Sequence, residues 1–556
     1  MGLTAADAPK WWQLRQHVLA PVADGFKLDS KTRLGVNEMN ICKIAVLLIT
    51  YWVFPGALLV TGHWSYAAQP TLAADDIQWL NRITYGIDSL TLNDYRSMGR
   101  KAYLEAQLRS VDDALPLSAQ RAIAALSISS RSAYQLLVDA DTENRRINAM
   151  PDGEDKSKAR QALNAAQDRV ALEAAKRHLL RAVYSSSQLR EQMTWFWLNH
   201  FSVFRYKGNL RWTVADYEEN AIRANALGNF RDLVSATLRH PAMLVYLDNA
   251  QSSVNKINEN YARELLELHT MGVNGGYTQK DVQEMARILT GVGVVSNFQP
   301  PRPKGTALTA VVVTDGAFEF NPARHDFGVK TLLGVAIDGT GLGEIDNALD
   351  VIMKNPATAL FICKKVATYF VADEPSTALV EQMAKAFSRT GGDIPAVLRV
   401  MFNSKEFHAS LGHKFKDPMH YVASSLRLAY DARTQEGKTF ANLKPANNML
   451  NALGEGFYGH LTPDGYGLRE ADWDSSGQMS KRFEIAKWIG SGNAGLFDPD
   501  DGSPAQVTGF PQLSSRLYYE AIEPTLSKRT REGLASAATQ WEWNAYFLGS
   551  PEFMYH

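Results

Sequence analysis

The densest set of side chains able to do chemistry lies in residues 258–272, which read Asn-Glu-Asn-Tyr-Ala-Arg-Glu-Leu-Leu-Glu-Leu-His-Thr-Met-Gly. In a helix at 100° per residue, Asn260, Glu264 and Glu267 fall on one narrow stripe. Leu265 and Leu268 lie on the adjoining apolar face, so two carboxylates border the buried side. We call Asn260, Glu264 and Glu267 the acidic stripe. Such carboxylates can ligate a divalent cation, or place a raised-pKa acid beside an ionised base.

The residues that follow predict a second helix packed against the first. Gly272 suits the end of the first helix, and Thr278 with Asp281 suits the start of the next. Asp281 and Glu284 then lie close to the acidic stripe as further candidate binding residues. A structural alternative stays open, in which arginines such as Arg287 neutralise the carboxylates and Asp281 only caps its helix.

A second candidate is the segment His325-Asp326-Phe327-Gly328-Val329-Lys330. Histidine, aspartate and lysine on a tight turn are groups that acid–base chemistry or anion binding uses. The alternative is a turn held by the Asp326 side chain, with Gly328 supplying a positive φ.

His200 lies among Trp195, Phe196, Trp197 and Phe201, where a hydrogen-bonded core histidine is the favoured interpretation. It gains functional interest only if it meets the acidic stripe. Because buried carboxylates must be paired, hydrogen-bonded or protonated, we predict that the stripe shares one cleft with His200 or with His325 and Asp326.

Most of the chain has the periodicity of helices, so the predicted fold class is mainly α with a small β-hairpin insertion. The insertion is placed at 309–336, where two apolar runs flank Asp315-Gly316, and residues 329–333 are a possible third strand. Helical regions are predicted at 68–308, which contains the acidic stripe, and at 337–556.

The N-terminal part of the chain contains a targeting signal. Residues 44–62 carry no charge, Lys43 precedes them, and Ser65-Tyr66-Ala67 suits signal-peptidase cleavage. We interpret 39–67 as a signal peptide, or as a signal anchor if it is not cleaved. Residues 1–38 are then an N-terminal extension or a mis-assigned start. The predicted location is periplasmic or extracellular, with membrane attachment only through an uncleaved segment.

Composition and motifs exclude several function classes. The 556 residues carry a net charge of −1, so no basic field for nucleic acid exists. The chain has no P-loop, no Gly-x-Ser-x-Gly elbow, no His-Glu-x-x-His and no paired Cys-x-x-Cys. These absences argue against the commonest kinase, hydrolase and zinc classes, whereas carboxylate enzymes have no short motif to find.

The acidic stripe also belongs to a motif set that resembles the bacterial family known as Domain of Unknown Function 1800. The matching pieces follow the family's order and cover nearly all of residues 75–556: Leu80-Asn81-Arg82, Trp197–Phe201, His240–Asn249, Asn258–Gly272, Gly276–Val282, His325–Lys330, Lys416-Asp417-Pro418, Pro463–Tyr466 and Ser550–Phe553. The chain departs from the family pattern at Val292, where tryptophan is common, and at Asn355, where histidine is common. The resemblance implies an exported protein, often encoded beside a sulfatase-like protein, and carries no reaction.

Two functions therefore remain open for this sequence. One is an envelope enzyme that acts on a glycan or other polymer, with a divalent cation as a possible cofactor. The other is a non-catalytic partner of the neighbouring sulfatase-like protein. The candidate catalytic residues are Glu264, Glu267, His325 and Asp326, and the candidate binding residues are Asn260, His200, Lys330, Asp281 and Glu284.

Overall fold

A computed structural model describes residues 72–109, 115–295, 312–431, 439–498 and 510–556. The predicted extension at 1–38 and the targeting segment at 39–67 lie outside these residues. Within the described ranges, no helix has the length and apolar character needed to cross a membrane.

The described chain is mainly α-helical, as predicted. Its α-helices are α1 (Ala74–Ile83), α2 (Ser89–Met98), α3 (Arg100–Leu108), α4 (Leu117–Ala124), α5 (Ala133–Asn148), α6 (Glu154–Tyr184), α7 (Gln188–His200), α8 (Val214–Asp216), α9 (Phe230–Arg239), α10 (Pro241–Tyr246), α11 (Asn260–Glu264), α12 (Gln279–Ile288), α13 (Gly343–Lys354), α14 (Pro356–Phe370), α15 (Thr377–Thr390), α16 (Ile394–Phe402), α17 (Lys405–Ala409), α18 (Pro418–Ala429), α19 (Lys444–Ala452), α20 (Ser476–Gly490), α21 (Lys528–Ala535), α22 (Gln540–Leu548) and α23 (Pro551–Met554). Three short π-helical turns occur at Tyr217–Ile222, Leu265–Thr270 and Tyr518–Ile522.

Helix α6 and the aromatic helix α7 lie in the core of this body. The C-terminal half of α6 buries small and branched side chains, which let neighbouring helices approach closely. Helix α7 buries nearly every side chain, including Trp195, Trp197 and His200. Helix α18 packs against α6 and is itself buried along its whole length. The motif segments of α7 and α18 therefore lie inside the body.

The helix starts follow the local rules read from the sequence. Pro241 and Pro356 each occupy the first turn of a helix, where the missing N–H costs nothing. Thr278 forms a capping box with Asp281 at the start of α12, as predicted. Gly272 ends the preceding segment with a φ of +81°, the left-handed conformation that favours glycine.

Two small antiparallel sheets interrupt the helices. The strands are β1 (Val292–Val294), β2 (Val313–Asp315), β3 (Phe318–Phe320), β4 (Lys330–Leu332) and β5 (Val335–Ile337). The predicted hairpin is confirmed, but its turn lies one residue later than predicted, at Gly316-Ala317, because Asp315 belongs to β2 and pairs with Phe318. The third strand of that sheet is β1, which the sequence did not predict, and it pairs with β3. Strand β4 exists but pairs with β5 in a separate sheet.

Candidate functional site

The acidic stripe lies where α11 passes into the π-helical turn Leu265–Thr270. Met271 N donates to Leu266 O over 2.8 Å, a bond that spans five residues instead of four. Such π turns are rare and often occur at functional sites. His200 Nε2 donates to the carbonyl oxygen of His269 over 3.0 Å, which ties this turn to the aromatic helix α7.

Glu264 and Glu267 are half-buried and have no arginine partner among the described residues. The Tyr277 hydroxyl donates to Glu267 Oε2 over 3.3 Å. Burial raises the pKa of Glu264, and the negative charge of Glu267 raises it further. Arg263 pairs with Glu259 at 3.4 Å and not with the stripe, and its charge lowers the pKa of Glu264 by less than Glu267 raises it.

A loop that sequence reasoning did not select completes this group with Asp464. Its charge also raises the pKa of Glu264, after burial and Glu267. The loop is held by Asn199, whose side chain accepts from Tyr466 N at 2.6 Å and donates to Tyr466 O at 3.0 Å. Gly465 has a φ of +77°, and a Cβ there would collide with the carbonyl oxygen of Asn199. The available signal was the Pro463–Tyr466 motif.

Lys365, on α14, has an amine of the kind that acid–base catalysis uses. Burial lowers its pKa to about 8, while Asp464 acts in the opposite direction. No carboxylate of the described residues lies within ion-pair distance of it. Phe361, one turn earlier on α14, packs so closely on Gly272 that a Cβ there would lie 2.6 Å from the ring. That close contact brings α14 against the acidic stripe.

Two histidines lie close enough to Lys365 to respond to its charge. His200 and His269 are both 1% exposed. Burial and then the charge of Lys365 lower both pKa values, that of His269 to about 3. Both rings are therefore neutral at ordinary pH. We call Glu264, Glu267, Asp464 and Lys365 the acidic centre.

Asn260 has a structural contact instead of facing this centre. Its side-chain amide donates to the carbonyl oxygen of Leu247 over 3.2 Å, and its backbone N–H donates to Asn258 Oδ1 over 2.9 Å. The bond to Leu247 attaches the start of α11 to the end of α10.

The structure places His325 and Lys330 in a separate buried group with Glu344. His325 Nε2 lies 2.9 Å from Glu344 Oε1, and its Nδ1 lies 2.7 Å from Thr290 O. Lys330 Nζ lies 2.5 Å from the second carboxylate oxygen of Glu344. All three charged side chains are fully buried. No hydrogen bond or ion pair of the described residues links His325 or Lys330 to the acidic stripe.

Asp326, Asp281 and Glu284 hold α12 against the second sheet. Arg287 donates to both Asp326 oxygens, at 2.8 and 3.2 Å, and to Glu284 at 2.8 Å. Asp281 and Glu284 accept from backbone amides of β4 and its turn, at 2.7 and 3.0 Å. The Asp326 side chain holds its turn as the structural alternative predicts, accepting from Gly328 N at 2.8 Å, but Gly328 lacks the predicted positive φ and Arg287 does not pair with the acidic stripe. His325 and Asp326 therefore belong to another network, while the alternative cleft, in which the acidic stripe meets His200, stays a prediction.

Comparison with known families decides what the chain is related to. The model of the family described as "Protein of unknown function (DUF1800)" matches residues 78–555, nearly the whole chain. The chain belongs to this family. No curated protein and no solved structure matches the chain. The DUF1800 assignment predicted from the motifs is thus confirmed.

A second DUF1800 motif, Lys416-Asp417-Pro418, forms a buried carboxyl pair at the start of α18. Asp417 Oδ1 accepts from His420 N at 2.7 Å, and Glu455 Oε2 accepts from Met419 N at 2.8 Å. Burial raises the pKa of Glu455, and the charge of Asp417 raises it further. The pKa of Asp417 is lowered despite its burial, chiefly by His420. The environment therefore favours the ionised form of Asp417 and the protonated form of Glu455.

Several polar atoms around this pair have no hydrogen-bond partner in the described part of the chain. One of them is His420 Nε2, in the residue that bonds Asp417. The Tyr85 ring lies 4.9 Å from the His420 ring. Sequence reasoning missed this group because Asp417 and Glu455 are far apart in the chain.

The predicted cation has no matching ligand group in the described residues. Nowhere in the described ranges do three or more His, Cys, Asp or Glu side chains have an arrangement able to hold a metal ion.

Proposed function

We propose that this DUF1800 protein is exported to the bacterial cell envelope and hydrolyses a glycan or another envelope polymer at the acidic centre. One observation carries the proposal. Glu264 is a half-buried carboxyl with no ion-pair partner among the described residues, and its pKa is raised by burial and by the charges of Glu267 and Asp464, against an opposing effect of Arg263. Paired carboxyls whose environments separate their pKa values are the usual means of acid–base catalysis. Export is supported by the sequence of residues 39–67, which predicts a signal peptide or a signal anchor.

The proposed reaction is cleavage of a glycosidic bond. Glu264 donates its proton to the leaving oxygen as the carbon–oxygen bond breaks and the electron pair moves onto that oxygen. Glu267 or Asp464 accepts a proton from water, whose oxygen adds to the anomeric carbon. Lys365 gives the centre a positive charge close to the neutral histidines, which offsets part of the carboxylate charge.

Replacing Glu264 by Gln tests this role. Because glutamine cannot donate a proton to a leaving oxygen, we expect kcat/KM to fall about 10²–10⁴-fold. The measurement is the release of reducing ends from purified envelope glycans by the mature protein.

Glu259→Gln is the matched control, since Glu259 precedes the same helix but pairs with Arg263. Its activity should equal that of the wild type. Full activity of both Glu264→Gln and Glu267→Gln would contradict the proposal. A stable complex with the sulfatase-like neighbour in those same variants would favour the non-catalytic alternative.

The pH profile supplies a second prediction. A general acid works only while protonated, so the raised pKa of Glu264 extends activity toward higher pH. Removing a neighbouring negative charge lowers that pKa again. In both Glu267→Gln and Asp464→Asn, we therefore expect the alkaline limb of residual kcat/KM to move to lower pH.

In Glu259→Gln, the alkaline limb of kcat/KM should stay at the wild-type pH. An alkaline limb that stays at the wild-type pH in both Glu267→Gln and Asp464→Asn would show that Glu264 is not the titrating acid.

A further inference from the structure

A small cavity of about 50 Å³ lies beside α18, and none of the residues that line it belongs to the acidic centre. Three of the segments that carry the resemblance to DUF1800 meet there. They contribute Asn81 from α1, Lys416 just before α18, and Phe553 from α23. The reaction proposed at the acidic centre uses none of these side chains. The cavity is therefore a separate candidate site.

Lys416 is a buried lysine without a counter-charge. It is 4% exposed, and no carboxylate of the described residues lies within ion-pair distance of its amine. The Nζ atom lies 3.9 Å from the centre of the Phe553 ring. Burial, and then the positive charge of Arg482, lower the pKa of Lys416 to about 7. A large share of the Lys416 amine is therefore neutral, and able to accept a proton, at neutral pH.

The hydroxyl of Ser424 lies next to this amine, with Ser424 Oγ 3.2 Å from Lys416 Nζ. Ser424 Oγ also lies 3.2 Å from the carbonyl oxygen of Tyr421. Gly86 packs so closely on Ser424 that a Cβ at Gly86 would lie 2.9 Å from the Ser424 Cβ, which fixes the position of the serine. When Lys416 is neutral, its amine can accept the hydroxyl proton. A serine beside a neutral lysine is one of the known arrangements of an activated nucleophile.

The cavity has a partly exposed side and a buried end. Lys416 and Ser424 are buried, whereas four other lining residues are partly exposed: Asn81, Thr525, Glu552 and Tyr555. Asn81 Oδ1 accepts from Ile87 N at 3.1 Å, and its Nδ2 makes no hydrogen bond with another described residue, so an N–H donor is left for a carbonyl oxygen. A volume of about 50 Å³ holds about two water molecules. Only a short acyl group, such as acetyl, therefore fits beside the Ser424 hydroxyl.

We propose that Ser424 and Lys416 form a nucleophile and base pair that hydrolyses acetyl esters. Ser424 Oγ adds to the carbonyl carbon of the acetyl group, while Lys416 Nζ takes the hydroxyl proton. The ester carbon–oxygen bond breaks, and the leaving oxygen takes that proton from the Lys416 ammonium. Water then adds to the acetyl-serine and passes a proton to Lys416. Ser424 Oγ leaves, regains this proton, and acetic acid is released. This activity does not depend on the reaction at the acidic centre.

Incubation of the wild-type protein with p-nitrophenyl acetate, stopped with acid during turnover, tests the proposal without any variant. Mass spectrometry of the peptides should find an acetyl group on Ser424. Release of nitrophenol should be faster from the acetate than from p-nitrophenyl hexanoate, because the longer acyl chain exceeds the cavity. An acetyl group on Lys416 in place of Ser424 would overturn the proposal, and so would a protein without an acetyl group on Ser424.

Variants of the two residues test their roles. Ser424→Ala should remove the acetylation, and Lys416→Met should lower kcat/KM for p-nitrophenyl acetate about 10²–10⁴-fold, the scale of a lost general base. Ser425→Ala is the matched control, since Ser425 is also buried on α18 and donates to Tyr421 O at 2.7 Å but does not line the cavity.

Ser425→Ala should keep the wild-type rate, and so should Glu264→Gln, whose defect lies at the acidic centre. Wild-type rates in Ser424→Ala would overturn the proposal. Loss of ester hydrolysis in Glu264→Gln would also overturn it, because the activity would then belong to the acidic centre. Acetylated Ser424 in a protein that releases no reducing ends from glycans would reject the reaction at the acidic centre and support this one.

Discussion

Glu344→Gln is expected to lower the free energy of unfolding by about 3–5 kcal/mol, the usual cost of breaking a fully buried ion pair. The carboxylate of Glu344 meets Lys330 at 2.5 Å and His325 at 2.9 Å, and all three side chains are fully buried. Glutamine leaves the ammonium of Lys330 in the interior without a counter-charge. Urea unfolding of wild type and variant measures the difference.

A double variant shows whether the uncompensated charge is the cause. Adding Lys330→Met to Glu344→Gln removes the buried ammonium, so part of the lost stability should return. A Glu344→Gln variant as stable as the wild type would contradict the structural role. If that variant were folded but inactive, His325 and Lys330 would return as catalytic candidates.

Glu455→Gln is expected to make the protein more stable than the wild type at neutral and higher pH. The pKa of Glu455 is raised in the folded state by burial and by Asp417. A raised carboxyl pKa stabilises the folded state below the unfolded value of 4.5, and this contribution is lost as pH rises through the folded pKa. The loss is about 1.4 kcal/mol for each pH unit over which the folded state keeps the extra proton.

Glutamine resembles the protonated acid and does not titrate. The stability of Glu455→Gln should therefore not fall with rising pH in this way. Asp417 acts in the opposite sense, because its lowered pKa favours folding above its own ordinary value of 3.8. Chemical unfolding at a series of pH values above 4.5 gives the two stability curves. Parallel curves for wild type and Glu455→Gln would show that Glu455 titrates normally. Glu259→Gln, at a half-exposed carboxylate, should follow the wild-type curve.

The sequence alone determined the elements that depend on neighbours in the chain. Helical periodicity predicted the fold class, and the capping box of Thr278 and Asp281 was predicted from two side chains three residues apart. The β2–β3 hairpin followed from its turn residues for the same reason. The stripe of Glu264 and Glu267 on one helix face was also visible, because a helix repeats in a known way.

Tertiary structure decided which of these groups meet. Asp464 reaches the stripe from a segment about 200 residues away, and Lys365 lies near Asp464 from a third segment; periodicity holds no information on such pairings. Asp417 and Glu455 form their pair for the same reason.

His325 and Lys330 had the residue types and spacing of a site, yet their burial against Glu344 made them structural. The acidic stripe differs from His325 and Lys330 in two properties: the access of solvent to the side chains, and the identity of the residues that pair with them. Both depend on how whole helices pack, since the cost of a buried charge is set by groups distant in sequence. The local pattern therefore identified candidate chemistry, and the packing selected among the candidates.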